Sequence, residues 1–249
     1  MNKRLSEIIQ KLEKEGYVSA QDLAKQYRVS METIRKDLHV LEEMGIANKE
    51  YGGASLSMLS LEKRFDFRTD HAEEKTEIAR RVFQECKQAN TIFLDSGSTC
   101  LRCVEYLNRL KDKNIITNSI PAFECLNSQN NVFLTGGKKR DKNQALVGNW
   151  AEQFIHSMHA DICLLGSAGI LNSLGPTTHS YQELSLKQAM IKNSDLVYVL
   201  VDSHKFSLAG LHTITSWDEI DGIITDHCIS QKQYDDLMGQ VEIIVGMED

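Results

Sequence analysis

Apolar positions in the first 55 residues recur at helical spacing. Leu5, Ile8, Ile9 and Leu12 line one face of a helix over residues 2–15, and Gly16 stops it. Tyr17-Val18 is short and β-prone. Ser19 caps a second helix, with Asp22 in its first turn to meet the free amides. Leu23 and Ala24 face inward and Tyr27 closes that helix. Val29 precedes Ser30, a second N-cap, and Ile34, Leu38 and Leu41 set the inner face of a third helix ending near Gly45. Residues 46–54 read as a strand running into a glycine turn. Helical spacing returns at Ile78, Ala79, Val82 and Phe83. Beyond it, helices alternate with uniformly apolar runs at 91–95, 115–118, 132–135, 162–166, 196–202, 222–225 and 242–245. Such runs suit a mainly parallel sheet covered on both faces.

At 249 residues the chain suits one small domain joined to a larger one. The pattern divides it into a helical domain at 1–56, a linker at 57–74 and an α/β domain at 75–249. The linker carries Ser57, Ser60, Phe65, Phe67 and the charges of residues 62–68. It reads as a solvated connector with anchoring aromatics; contact with a polyanion is the second reading. With 41% hydrophobic and 25% charged residues, the composition is that of a globular protein. No apolar run approaches the roughly 18–20 residues of a membrane span. Charge recurs every few residues after Met1, so no signal-peptide core is expected and the chain is placed in the cytoplasm. The six cysteines are then reduced thiols. Cys100-Leu101-Arg102-Cys103 is a single CxxC without a second pair or a matched histidine pair, so it reads as buried thiols. No metal or cofactor is expected.

The net charge of −7 argues against a nucleic-acid partner when read globally. Residues 1–55, however, hold nine Lys/Arg and nine Asp/Glu, so the whole imbalance lies beyond them. Two short helices joined by a tight turn are the geometry of a helix-turn-helix. With Ile34, Leu38 and Leu41 in the core, the third helix presents Glu32, Lys36 and His39 outward, flanked by Thr33 and Arg35. Such a helix reads base edges with its N-terminal part, and an arginine can grip guanine with two donors. The strand after it would bring Lys49 and Tyr51 to the phosphate backbone. Ser19, Ser30, Met31 and Gly52 complete the candidate DNA-facing set. A small helical module that only packs, or binds protein, is the plainer reading of the pattern alone.

Residue identities go further. Val29-Ser30-Met31-Glu32-Thr33-Ile34-Arg35-Lys36-Asp37-Leu38, then Leu41-Glu42, Gly45 and Tyr51-Gly52-Gly53-Ala54, closely resemble the winged helix-turn-helix of the DeoR family of bacterial transcription regulators. That family's pattern is close to V-S-x-x-T-I-R-R-D-L, L-E, G and H-G-G-A. Here Lys36 stands for the second arginine and Tyr51 for the histidine. Lysine keeps the charge but loses the planar fork, so Lys36 suits phosphate better than guanine.

In a parallel sheet, ligands bind beyond the carboxyl ends of the strands. Asp95-Ser96-Gly97-Ser98-Thr99 joins a strand to a helix carrying Leu101, Val104 and Leu107, and free amides there form an anion site. The plainer reading is a capped turn; it is not a Walker A loop. Other strand ends carry Asn118 and Ser119, Gly136, Gly166 to Ile170, and Asp202 to Phe206. Glu183 and Lys187, four apart on a helix, read by themselves as a surface ion pair. In this order the segments resemble the C-terminal sensor domain of the same family, over nearly all of residues 75–228. The resemblance implies a Rossmann-like fold related to ribose-5-phosphate isomerase and the CoA transferases, sensing a phosphorylated sugar or similar metabolite. It implies that Asp95, Ser96, Gly97, Ser98 and Thr99 cradle a phosphate with Lys205 as counter-charge. It further implies that Asn118, Ser119, Gly136, Gly166, Glu183, Lys187 and Asp202 border the ligand, with Leu184 replacing the usual alanine of E-A-x-x-K. Ala168 stands where the family often has Asp or Asn, which argues against isomerase chemistry.

The expectation is therefore an α/β protein with a small winged helix-turn-helix domain: a transcription regulator, repressing a carbohydrate operon. It would bind double-stranded operator DNA as a homo-oligomer, dimer or tetramer, under control of a phosphorylated sugar, without catalytic residues. The alternatives are a sugar-phosphate isomerase or transferase with an accessory module, and a protein-binding adaptor.

Overall fold

A computed structural model describes residues 3–43, 46–56 and 70–246. It divides into two compact units, residues 1–63 and 64–249. The helix stop expected at Gly45 and the connector features at Ser57, Ser60 and residues 62–68 lie outside the described residues.

The first unit runs α1 (Lys3–Glu15), β1 (Tyr17–Ser19), α2 (Ala20–Tyr27), α3 (Met31–Glu43), β2 (Ala47–Glu50) and β3 (Gly53–Leu56). Ile8, Leu12, Leu23, Ile34, Leu38 and Leu41 are fully buried, the stripes that helical spacing selects. The Ser19 hydroxyl accepts from the Asp22 N–H at 3.3 Å and so caps α2. Strand β3 pairs antiparallel with both β1 and β2. Gly53 is required there: a Cβ would fall 2.1 Å from the Val18 carbonyl oxygen. Asp37 turns inward, 8% exposed, and accepts from Arg4 Nε at 2.6 Å and Nη2 at 3.2 Å. That half-buried pair ties α1 to α3, so this acidic position of the motif is structural.

The second unit opens with α4 (Ala72–Glu85), β4 (Thr91–Leu94), α5 (Ser98–Leu107), β5 (Asn114–Thr117), α6 (Ile120–Cys125) and β6 (Asn131–Leu134). A hairpin follows, β7 (Lys138–Arg140) and β8 (Ala145–Val147), then α7 (Asn149–His156) and β9 (Ala160–Gly166). The remainder is β10 (Thr177–Thr178), α8 (Tyr181–Lys192), β11 (Ser194–Leu200), a 3-10 turn at Ser203–Ser207, β12 (His212–Thr213), β13 (Gly222–Thr225), α9 (Gln231–Leu237) and β14 (Glu242–Val245).

Seven strands form one sheet in the order β14-β13-β11-β9-β4-β5-β6, every pair parallel. They are the seven runs that the apolar pattern picks out. Side chains alternate between two cores. Ile92 and Leu94 pack with Ile78 and Val82 of α4 and Val104 and Leu107 of α5. Phe93 packs on the other face with Ile155 of α7 and Leu186 and Met190 of α8. From β4 the chain steps outward through β5 and β6, then returns to lay β9 on the other side of β4. The direction of winding therefore reverses between β4 and β9, which opens a crevice at their carboxyl ends. The hairpin β7–β8 and the β10–β12 ladder have no counterpart in the sequence reading. Lys138-Lys139-Arg140 and a two-residue pair are too polar and too short to show as strands.

Among the described residues no helix is long and apolar enough to cross a membrane, and no three His, Cys, Asp or Glu residues gather as a metal site. Cys86, Cys100, Cys103 and Cys163 are buried, while Cys125 and Cys228 are exposed. Burial pushes the Cys86 thiol up to about 12 and raises Cys100, Cys103 and Cys163 as well. Cys228 is raised by local desolvation and by Asp226 beside it. Native protein at pH 8 should therefore alkylate at Cys125 first and Cys228 second, with the other four reacting only on denaturation. Mass-resolved labelling of peptides checks this; rapid native labelling of Cys100 or Cys103 would contradict the packing.

Candidate functional sites

In the first unit the candidate residues fall on two elements. The Ser30 hydroxyl accepts from the Thr33 N–H at 3.2 Å and lies 2.9 Å from Thr33 Oγ1, capping α3. Met31, Glu32, Arg35, Lys36 and His39 are exposed along that helix. His39 Nδ1 lies 3.4 Å from Glu42 Oε2. Lys49 is exposed on β2, and its N–H donates to Glu42 Oε1 at 3.3 Å, bracing the hairpin against α3. Tyr51 is fully exposed at the hairpin tip, where Gly52 takes φ +85°. The Ala20 N–H donates to the Gly52 carbonyl at 2.9 Å, so the start of α2, with Ser19, abuts the wing turn. Arg35 and Lys36 thus project from the first half of the outer face of α3, with a hairpin carrying Lys49, Glu50 and Tyr51 beside it. That is the surface a major-groove reader needs: bidentate reach to a base edge and point charges for phosphate.

In the second unit the candidates collect at the carboxyl edge of the sheet. Asp95 ends β4 at the crevice and is 1% exposed. Its Oδ2 accepts from the Gly166 N–H at 2.9 Å and from Lys187 Nζ, which also donates to the Gly166 carbonyl at 3.0 Å. Burial alone would push the Lys187 ammonium down; the Asp95 carboxylate, with Glu183 beyond it, holds it charged above its ordinary value. Glu183 is 4% exposed. It accepts from Arg140 Nη1 at 3.1 Å, from Asn143 Nδ2, and from Thr178 Oγ1 at 3.5 Å. Glu183 and Lys187 are therefore not a surface ion pair; each is buried and takes separate partners. Arg140 and Asn143 escaped the sequence reading because they sit on the polar hairpin. The Gly136-Gly137 turn before it was the available signal.

After Asp95 the chain enters α5 through Gly97, at φ +139° with open space where a side chain would stand. No side chain caps this helix. Its first amides, with Ser98 and Thr99, therefore face the crevice ready for an anion. Asn118 ends β5, and its Nδ2 donates to the Leu146 carbonyl at 3.4 Å. Ser119 serves α6 as N-cap, accepting from the Ala122 N–H at 3.3 Å. Asp202 ends β11 at 1% exposure and fixes the next turn through Lys205 N–H to its carbonyl at 2.8 Å. Gly136 follows β6 at φ +74°. Ala168 N–H donates to the Thr177 carbonyl at 2.8 Å, and its methyl offers no polar group.

One property joins these strand ends. Asp95 Oδ1, Ser96 Oγ, Asn118 Oδ1, both carboxylate oxygens of Asp202 and Thr225 Oγ1 are buried without a hydrogen-bond partner. They lie at the carboxyl ends of β4, β5, β11 and β13. Buried polar atoms are nearly always paired, so a row of orphans on one edge marks a place built for a polar ligand.

A helix-turn-helix with Arg35 and Lys36 on its outer face, joined to an α/β unit with such an edge, is the build of a DNA-binding regulator with a small-molecule sensor. Residues 4–58 match the DeoR-like helix-turn-helix domain and residues 70–227 the DeoR C terminal sensor domain. The chain belongs to the DeoR family of transcription regulators. The glycerol-3-phosphate regulon repressor of Escherichia coli K12 is 30% identical over 222 residues, 88% of each chain. The putative aga operon transcriptional repressor of Escherichia coli O157:H7 is 31% identical over 251 residues, 98% of this chain and 93% of that one. The transcriptional regulator GolR of Listeria innocua is 32% identical over 237 residues, 93% and 92%. Among solved structures, ribose 5-phosphate isomerase A from Neisseria gonorrhoeae matches with TM-score 0.39 and 17% identity over 57% of this chain and 56% of that one. The eIF2B beta subunit from Chaetomium thermophilum gives TM-score 0.45 and 14% identity over 61% and 48%.

Arg35→Ala should cost about 1–3 kcal/mol of operator affinity and relax base preference at one position. Lys36→Ala should weaken all sequences alike and lower the salt slope by about 1. Titration of operator and scrambled duplexes at several salt concentrations separates the two. Lys187→Met should destabilise the second unit by about 3–5 kcal/mol, since it leaves Asp95 buried and alone. Asp95→Leu in the same chain should restore most of that loss. Trp150 and Trp217 both lie in this unit, so tryptophan fluorescence in urea reads it directly.

Proposed function

We propose that this regulator is a cytoplasmic repressor whose sensor unit binds a phosphorylated polyol or sugar at the carboxyl edge of the sheet. The row of buried, unpartnered polar atoms there carries the reading. Four of the orphan atoms are acceptors from Asp95, Asn118 and Asp202, so the ligand must bring donors, and sugar hydroxyls are donors. The uncapped start of α5 supplies amides for an anion, and Lys205, in the turn after Asp202, supplies a counter-charge. Lys187 neutralises Asp95, which removes a repulsive charge from the approach of a phosphate. The names of the relatives point the same way, one being the repressor of a glycerol-3-phosphate regulon.

The alternative, an isomerase or transferase, needs a free carboxylate poised over substrate. Glu183 is held by Arg140 and Asn143, Ala168 supplies no acid, and Asp202, whose two carboxylate oxygens are unpartnered, is read as a ligand contact. The site is read as a sensor without turnover. Two half-sites bound by a homo-oligomer, dimer or tetramer, would raise affinity beyond what one unit of zero net charge commands. Moving operator occupancy from nearly full to nearly empty requires about 5.5 kcal/mol of differential binding between the two states.

Thermal-shift screening against glycerol 3-phosphate, pentose phosphates, hexose phosphates and the free sugars tests the reading, because a ligand of the native state raises its melting temperature. One phosphorylated compound should stabilise the protein and alter operator binding, and its unphosphorylated form should not. Lys205→Ala should weaken that response at least tenfold while leaving ligand-free operator affinity intact. Steady conversion of a sugar phosphate, abolished by Glu183→Gln, would replace the sensor reading with the enzyme one.

A further inference from the structure

We infer that the stacked rings of His71 and His204 form the mechanical link between the ligand edge and the chain leading to the DNA-binding unit. This rests on the ligand site proposed above. The ring centroids lie 4.9 Å apart with planes inclined by 20°. The two residues come from distant parts of the sequence and have different duties.

His204 belongs to the turn after β11, between Ser203 and Lys205. That turn is pinned at several points. The Ser203 N–H donates to Asp226 Oδ2 at 2.6 Å. The Lys205 N–H donates to the Asp202 carbonyl at 2.8 Å, and the Lys205 carbonyl accepts from the Ile170 N–H at 3.0 Å. A ligand that takes up the Asp202 carboxylate and the Lys205 ammonium therefore acts at the N-cap of this short turn and on the residue next to His204. His204 itself points away from that duty, onto His71.

His71 is the N-cap of α4 and adopts φ 58°, ψ 44°, a left-handed conformation unusual for a residue with a side chain. It gives the helix no side-chain cap. Such a backbone persists only when its surroundings over-determine it. The surroundings here are the His204 ring and Glu74, whose Oε1 lies 3.4 Å from His71 Nδ1. Lys75, buried in the next turn, donates from Nζ to the Asp70 carbonyl, fixing the residue before. His71 also opens α4, the first helix of the sensor unit. A left-handed residue opening α4, stacked on the ring next in sequence to Lys205, is placed to act as a two-state element between the ligand edge and α4. Ligand engagement moves the turn, the stack opens, and the start of α4 relaxes to an ordinary conformation.

His204→Ala removes the ring, His204→Phe keeps a stacking surface, and His71→Ala removes the ring while keeping the left-handed penalty that drives the helix start to relax. The first measurement is operator affinity of the full-length protein without ligand. His204→Ala and His71→Ala should each change it at least threefold in the same direction, the double variant should equal the single ones, and His204→Phe should match wild type. The second uses the sugar phosphate that stabilises wild type in the screen. His204→Ala should bind it within threefold of wild type, yet its effect on operator affinity should fall at least tenfold. Wild-type operator affinity in His204→Ala, or an undiminished ligand response, would overturn the inference. If no sugar phosphate stabilises wild type, the ligand reading fails, while the ligand-free operator measurement still decides the link.

Discussion

The ion pair between Lys187 and Asp95 is the constraint on which the sensor unit turns. It crosses the point where the sheet reverses its winding. It joins α8 to the end of β4 and, through Gly166, to the end of β9. A lone charge buried at that depth would cost several kcal/mol, so neither residue can change without the other. The pair also sets the electrostatics of the crevice. With Asp95 neutralised, the start of α5 next to it is relieved of one negative charge.

A sheet buried on both faces has no lateral surface for chemistry, so its polar residues are driven to one end. This explains why orphaned acceptors, glycines with positive φ and helix starts crowd the same edge. It also explains the hairpin β7–β8. The Leu146 N–H donates to the Asn118 carbonyl at 2.7 Å, and the Ile120 N–H to the Gln144 carbonyl at 2.9 Å, so the hairpin is docked on the end of β5. From there Arg140 and Asn143 reach Glu183. Three donors, Arg140, Asn143 and Thr178, occupy this buried glutamate.

Most of the architecture was legible in the sequence, and the reason is periodicity. All seven strands of the main sheet show as apolar runs; the central ones are covered on both faces, while the edge strands β6 and β14 leave Phe133 and Val245 exposed. The three N-terminal helices carry clean inner stripes with caps at Ser19 and Ser30. What escaped was polar and non-local. Asp37 looked like part of a recognition helix, yet its partner Arg4 lies 33 residues away and only the fold reveals the pair. Glu183 and Lys187 look like neighbours along a helix, and their spacing hides that Glu183 pairs with the β7–β8 hairpin and Lys187 with the end of β4. The hairpin of Lys138, Lys139 and Arg140 has no apolar alternation to announce it. The connector at 57–69 lies outside the described residues, so the sequence reading of that segment stands by itself.

Charge distribution constrains how the two units work together. The first unit has no net charge, and the −7 of the chain lies wholly beyond residue 55. Nonspecific attraction to DNA scales with the number of phosphates neutralised, and here it must come from a few oriented groups, Arg35, Lys36 and Lys49 among them. With few charges to hold the duplex, binding depends on how the recognition helix is presented, and that presentation is what the stacked rings at the start of α4 would act on.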